Sequence, residues 1–165
     1  MKKIISIIIP IAVLAGLIWL SKPGDDSGDL KTNGVTASAN SIVAEETSFD
    51  FGEISMSDGK VSHVFKLKNS DKNPVELSKL YTSCMCTSAE FIRGEYNNGP
   101  FGMPGHGFVP ALNETVEPGQ DFEVKVTFDP EAHGPAGVGP VNRIVYLEQK
   151  NGPKLQLQIL GSVRP

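Results

Sequence analysis

The sequence predicts an all-β protein, an antiparallel β-sandwich of about seven strands preceded by one N-terminal transmembrane helix and a flexible linker. Three observations predict it. An apolar run occupies residues 4 to 20 behind Lys2 and Lys3; a stretch of small polar residues without periodicity follows; and thereafter short segments alternate apolar with polar residues between turn signals.

The apolar run sits at the short limit for crossing a hydrocarbon core of about 30 Å and is somewhat long for a signal-peptide apolar region. Its exit, Ile18-Trp-Leu-Ser-Lys-Pro23, lacks the alternating small residues that a signal peptidase reads, and no cysteine follows to carry a lipid. Residues 1–21 therefore read as a membrane anchor or signal segment, with an uncleaved anchor favoured. The two lysines place the N-terminus in the cytoplasm and everything after Leu20 outside, either in a periplasm or at a cell surface. Residues 22–43, rich in Gly, Ser, Asp, Asn and Thr, cannot bury a core and read as a flexible tether. Residues 44–165 are enough for one domain with a single core.

Val61, His63, Phe65 and Leu67 alternate with mostly polar neighbours, as do Phe122, Val124, Val126 and Phe128, and then Leu155, Leu157 and Ile159. Each segment reads as a half-buried strand. Weaker strand candidates are residues 41–46, 74–81 and 141–148. Turn signals stand at Ser57-Asp-Gly-Lys60, Asp71-Lys-Asn-Pro74, Glu117-Pro-Gly-Gln120 and Lys150-Asn-Gly-Pro153. Short strands, regular turns and no convincing helix after the anchor are the pattern of a sandwich.

Charge and composition narrow the function. Removing Lys2 and Lys3 from the 15 basic residues leaves 13 against 19 acidic ones, an acidic exterior without a basic stripe. Nucleic acid is thereby excluded as a partner, and the expected contacts are the membrane, through the N-terminal helix, and a protein outside the cytoplasm. Asp50, Asp129 and Glu131 suit turns, no pair of carboxylates has a spacing for acid–base work, and no serine has a nucleophile's setting. The chain is not expected to be an enzyme.

Phe49-Asp-Phe-Gly-Glu-Ile54, Val61-Ser-His-Val-Phe-Lys-Leu-Lys-Asn69, Thr82-Ser-Cys-Met-Cys-Thr87, Glu117-Pro-Gly119, Val126-Thr-Phe-Asp-Pro130 and Leu157-Gln-Ile-Leu-Gly-Ser-Val163 follow one another in an order that resembles the Ig-like domain of unknown function 1573, within the wider hydin-type Ig-like group. The resemblance spans roughly residues 44 to 163. It implies an Ig-like sandwich and an exported bacterial protein, and it implies no particular activity. Met85 stands where the family pattern Ser-Cys-Gly-Cys-Thr has glycine, and an insertion, Glu90 to Leu112, follows the motif.

Cys84 and Cys86 are the only two cysteines. On an extended chain, alternate residues point the same way and set their Cβ atoms roughly 6–7 Å apart, too far for a disulfide without a tight turn. Two thiolates on one soft metal ion accept a wider separation. In the insertion, Pro104-Gly105 is the preferred centre of a type II turn, which would bring Met103 and His106 within about 7 Å of each other. Two thiolates, a thioether and an imidazole form the donor set of an exported copper site; zinc rarely takes thioether. The candidate metal ligands are thus Cys84, Cys86, Met103 and His106. His133 and His63 join as further candidates, since alternating strand directions, with a strand inside the insertion, bring them to the same pole as the cysteines.

Each residue also has a plainer reading. The cysteines can be buried hydrophobes or an ordinary disulfide, Met85 points away from them, and Met103 with Phe101 can plug a loop. His63 suits a satisfied histidine at the core rim, and His133 a solvated loop. The expected function is a membrane-tethered, extracytoplasmic Ig-like domain binding copper. The rival is a non-catalytic structural or protein-interaction module whose cysteines are only structural. Thiol redox chemistry is a third reading, weakened because Lys79 and Arg93, the nearest basic residues in sequence, sit several positions from the motif.

Overall fold

Ten strands arranged as two five-stranded sheets make up the computed structural model, which describes residues 41–165. The anchor expected over residues 1–21 and nearly all of the linker expected over 22–43 lie outside the described residues. Among the described residues no helix is long and apolar enough to cross a membrane.

One sheet runs β1 (Ile42–Ala44), β3 (Val61–Asn69), β8 (Asp121–Phe128), β5 (Thr87–Arg93) and β6 (Tyr96–Phe101). The other runs β2 (Ser48–Ser55), β10 (Leu155–Arg164), β9 (Gly139–Gln149), β4 (Val75–Thr82) and β7 (Glu114–Val116). Two single turns of 3-10 helix, Met56–Asp58 and Gly134–Gly137, complete the secondary structure.

The alternation that predicts the strands also sets their burial. In β8, Phe122, Val124, Val126 and Phe128 are buried while Glu123, Lys125 and Thr127 are not. Phe65, Leu80, Phe91, Val126 and Leu147 are wholly buried between the sheets, and the rings of Phe91 and Phe122 stack with centroids 5.2 Å apart. Burying a side chain of this size contributes about 1.5–3 kcal/mol, which makes these inward rows the main source of stability.

The fold departs from the expected one in two respects. It has ten strands rather than about seven, because β2, β5, β6 and β7 join the six predicted segments. It is also not purely antiparallel: β2 lies parallel to β10, with Phe49 opposite Ile159, while every other pair is antiparallel. The insertion does contain a strand, β6, held to the sheet by its pairing with β5 and by the fully buried Phe101.

Candidate functional site

The cysteines lie in the turn that carries the chain from β4 in one sheet to β5 in the other. Thr82, buried at the end of β4, donates its hydroxyl to the carbonyls of Cys84 (2.9 Å) and Thr87 (3.0 Å). The Thr87 amide donates to the Cys84 carbonyl at 3.1 Å and closes the turn. Ser83 fastens it to β9: its amide donates to the Ile144 carbonyl, and its Oγ accepts from the Ile144 amide, both at 2.9 Å. The Asp129 amide, just past β8, donates to the Cys86 carbonyl at 2.8 Å.

This turn replaces the extended segment expected for the motif. The Cα atoms of Cys84 and Cys86 are 5.3 Å apart, against roughly 6.6 Å for alternate residues of a strand. Their Sγ atoms meet at disulfide distance. Cys86 is 2% exposed, Cys84 is partly exposed, and Met85 at the tip is 52% exposed.

Two cationic or basic groups face the sulfurs. His133 brings Nε2 to 3.3 Å from Cys84 Sγ. It is presented by the loop after β8, where Asp129 Oδ1 accepts from the Glu131 amide at 3.0 Å and the Glu131 carbonyl accepts from the Gly134 amide at 2.8 Å. On the other side, Arg143 of β9 donates Nε–H to Cys86 Sγ at 3.2 Å and Nη1–H to the Asn142 carbonyl at 2.9 Å. Among the described residues no carboxylate lies within ion-pair distance of Arg143.

The ligand atoms of Cys84, Cys86 and His133 all lie within 4.8 Å of one another, and His106 is not in this group. The turn at Met103–His106 does form, with the His106 amide donating to the Met103 carbonyl at 3.2 Å and Gly105 at φ +89°. It leaves His106 exposed and Met103 half-buried. The loop's first residue is tied to the end of β4 through the Thr82 amide, which donates to the Gly102 carbonyl at 3.1 Å, and residues 104–108 beyond it are exposed. His63 is committed elsewhere: its ring stacks on Phe49 at 3.6 Å, meets Phe65 edge-on at 4.7 Å, and bonds Glu46 Oε1 through Nε2 at 2.8 Å.

Arg143 is the site residue that sequence reasoning missed. A signal for it exists: Val141, Val145, Leu147 and Gln149 are the buried positions of β9, and Arg143 occupies the same inward register. A guanidinium in that row requires an acceptor between the sheets.

Two packed β-sheets with a dicysteine turn at one end define a sandwich domain of the Ig-like kind. Residues 42–102 match the family described as "Protein of unknown function (DUF1573)", which bears out the resemblance read from the motifs over that span. The matched span holds the cysteine turn and ends before Met103, His106, His133 and Arg143. Among solved structures, the chain is similar to a protein of unknown function from Porphyromonas gingivalis W83, with a TM-score of 0.52, 16% identity, and 79% of this chain and 51% of that one covered. It is also similar to a family 123 glycoside hydrolase from Clostridium perfringens, with a TM-score of 0.50, 8% identity, and 71% of this chain and 22% of that one covered. The chain thus spans about half the length of the first and about a fifth of the second, and at such identities the likeness is one of fold alone. No curated protein matches the chain.

Proposed function

We propose that this chain is a membrane-tethered, extracytoplasmic Ig-like domain whose reduced Cys84 and Cys86, together with His133, hold copper(I) for delivery to a protein partner. The observation that carries the reading is the convergence of two sulfurs and an imidazole nitrogen within 4.8 Å. Sulfurs in mutual contact cannot both ligate, so binding belongs to the dithiol state, in which they separate to positions about 2.3 Å from a shared ion. Charge favours the monovalent metal. Two thiolates, a neutral imidazole and copper(I) leave one negative charge, which Arg143 offsets; with zinc(II) the same site would leave the guanidinium uncompensated. The tether rests on the apolar run at residues 4–20 and the polar stretch of residues 22–43.

The imidazole in this proposal comes from His133, and Met103 and His106 have no part in holding the ion. A competition titration of the reduced full chain against a chromophoric copper(I) chelator tests it. About one copper(I) per chain is expected, lost in the Cys84→Ser, Cys86→Ser double variant and weakened at least about tenfold by His133→Ala. Met103→Ala and His106→Ala should leave the affinity unchanged. A double serine variant that binds as well as the parent overturns the reading.

A second reading, a non-catalytic interaction module with a purely structural cystine, is favoured by the burial of Cys86 and the contact between the sulfurs. It predicts no retained copper and a protein partner captured equally well by the oxidised and the double serine chains.

A further inference from the structure

The two sulfurs differ in what surrounds them. Cys84 Sγ is partly exposed and faces an exposed imidazole, while Cys86 Sγ is buried and faces a guanidinium that has no carboxylate partner among the described residues. A disulfide sulfur is a weak acceptor, whereas a thiolate makes a charge-assisted hydrogen bond about twice as strong as a neutral one. Arg143 Nε–H therefore gains most when the bond opens and the negative charge falls on Cys86. A couple whose reduced form is stabilised in this way is an oxidant toward other thiols.

We propose that Cys84–Cys86 is a thiol–disulfide exchange couple that oxidises exposed dithiols of a partner protein, with Cys84 the attacked sulfur and Cys86 the leaving thiolate held by Arg143. The inference goes beyond copper binding and involves no metal.

In the first step a substrate thiolate attacks Cys84 Sγ, a mixed disulfide forms, the Cys84–Cys86 bond breaks, and its electron pair goes to Cys86 Sγ beside Arg143 Nε. In the second step the substrate's other thiolate attacks its own sulfur in the mixed disulfide and expels the Cys84 thiolate next to His133 Nε2. The substrate leaves as a disulfide and its two electrons reside on the cysteine pair; of the two protons released by its thiols, one is taken up by Cys84 and the other passes to solvent while Cys86 stays a thiolate beside Arg143. The same steps in reverse, with a disulfide compound as oxidant, restore the starting state. Arg143 acts through Cys86 and is a positioning residue; Cys84 is the group that touches substrate.

Oxidised full chain, kept in excess metal chelator so that copper plays no part, is mixed with reduced glutathione and quenched with a thiol-blocking reagent. Mass mapping should find the glutathione adduct on Cys84 and the blocking group on Cys86. Equilibration in glutathione redox buffers should show Arg143→Gln shifting the dithiol–disulfide equilibrium about tenfold toward the disulfide, with slower opening, and Arg143→Lys recovering part of the effect. Adducts on Cys86 or equally on both cysteines overturn the proposal, as does an equilibrium that Arg143→Gln leaves unmoved. Should Arg143→Gln fail to fold, the mapping on the unsubstituted chain decides alone. Copper retained without exchange would defeat this inference and spare the metal reading; exchange without copper retention would do the reverse.

Discussion

His63 shows how one residue can carry the signature of a ligand and serve the core. It sits in the inward register of β3, where imidazole interrupts an apolar row, and the interruption is resolved by ring packing and one carboxylate. Phe49 lies parallel to it at 3.6 Å, Phe65 lies edge-on at 4.7 Å, and Glu46 Oε1 accepts from Nε2–H at 2.8 Å. Aromatic contacts of this kind are worth about 0.5–1.5 kcal/mol beyond area burial, and a hydrogen bond to a charged group about 1.5–3 kcal/mol less the cost of desolvation. His63→Ala is therefore expected to lower the unfolding free energy by about 1–3 kcal/mol in urea titrations without changing copper retention or glutathione mapping. A loss of copper with unchanged stability would move His63 into the site. At this scale the sequence supports both readings of His63, because alternation fixes the face of the sheet and not the neighbour across it.

At the scale of elements, β3 ends in a buried polar residue whose bonds hold three segments together. Asn69 is 0% exposed; its Nδ2 donates to the carbonyls of Val116 (2.9 Å) and Asn73 (3.0 Å), and its Oδ1 accepts from the Asp71 amide at 2.9 Å. The turn into β4 and the short strand β7 are thereby fixed by one side chain. Asn69→Leu fills similar volume but leaves those groups unpaired, which costs about 1–3 kcal/mol for each buried group that water cannot reach. A thermal midpoint several degrees lower is the expected result, while an unchanged midpoint would mean that water replaces the amide. Elements with strict alternation of large apolar residues, such as β3, β8 and β10, are legible in the sequence. β5 places Thr87 and Ala89 in its inward row, β6 reads Asn97-Asn-Gly-Pro100, and β7 is three residues long. Small or turn-forming residues give little periodic signal, and these strands exist because neighbours with stronger patterns offer them an edge to pair with.

For the whole molecule, the site depends on topology more than on motif. Cys84 and His133 are 49 positions apart and Cys86 and Arg143 are 57 apart. They meet because β5 starts where β8 ends, with Thr87 opposite Phe128, and because Ser83 pins the turn to β9. Alternating strand directions, together with a strand inside the insertion, predict that His133 shares a pole with the cysteines. Arg143 requires knowledge of which face of β9 turns inward. If the sandwich assembles the site, the cystine should contribute little to assembling the sandwich. A bridge between residues two apart closes so short a loop that chain entropy accounts for only about 1.5 kcal/mol, against a core that includes Phe65, Phe91, Phe101 and Leu147, all wholly buried. Reduction of the full chain is therefore expected to lower its unfolding free energy by no more than about 2 kcal/mol, to leave the β-rich circular dichroism spectrum in place, and to be reversed on reoxidation. That outcome gives both proposals the stable reduced scaffold they need. A chain that unfolds on reduction would make the bond a structural staple, because neither copper capture nor disulfide exchange can operate from a site that disappears when its sulfurs part.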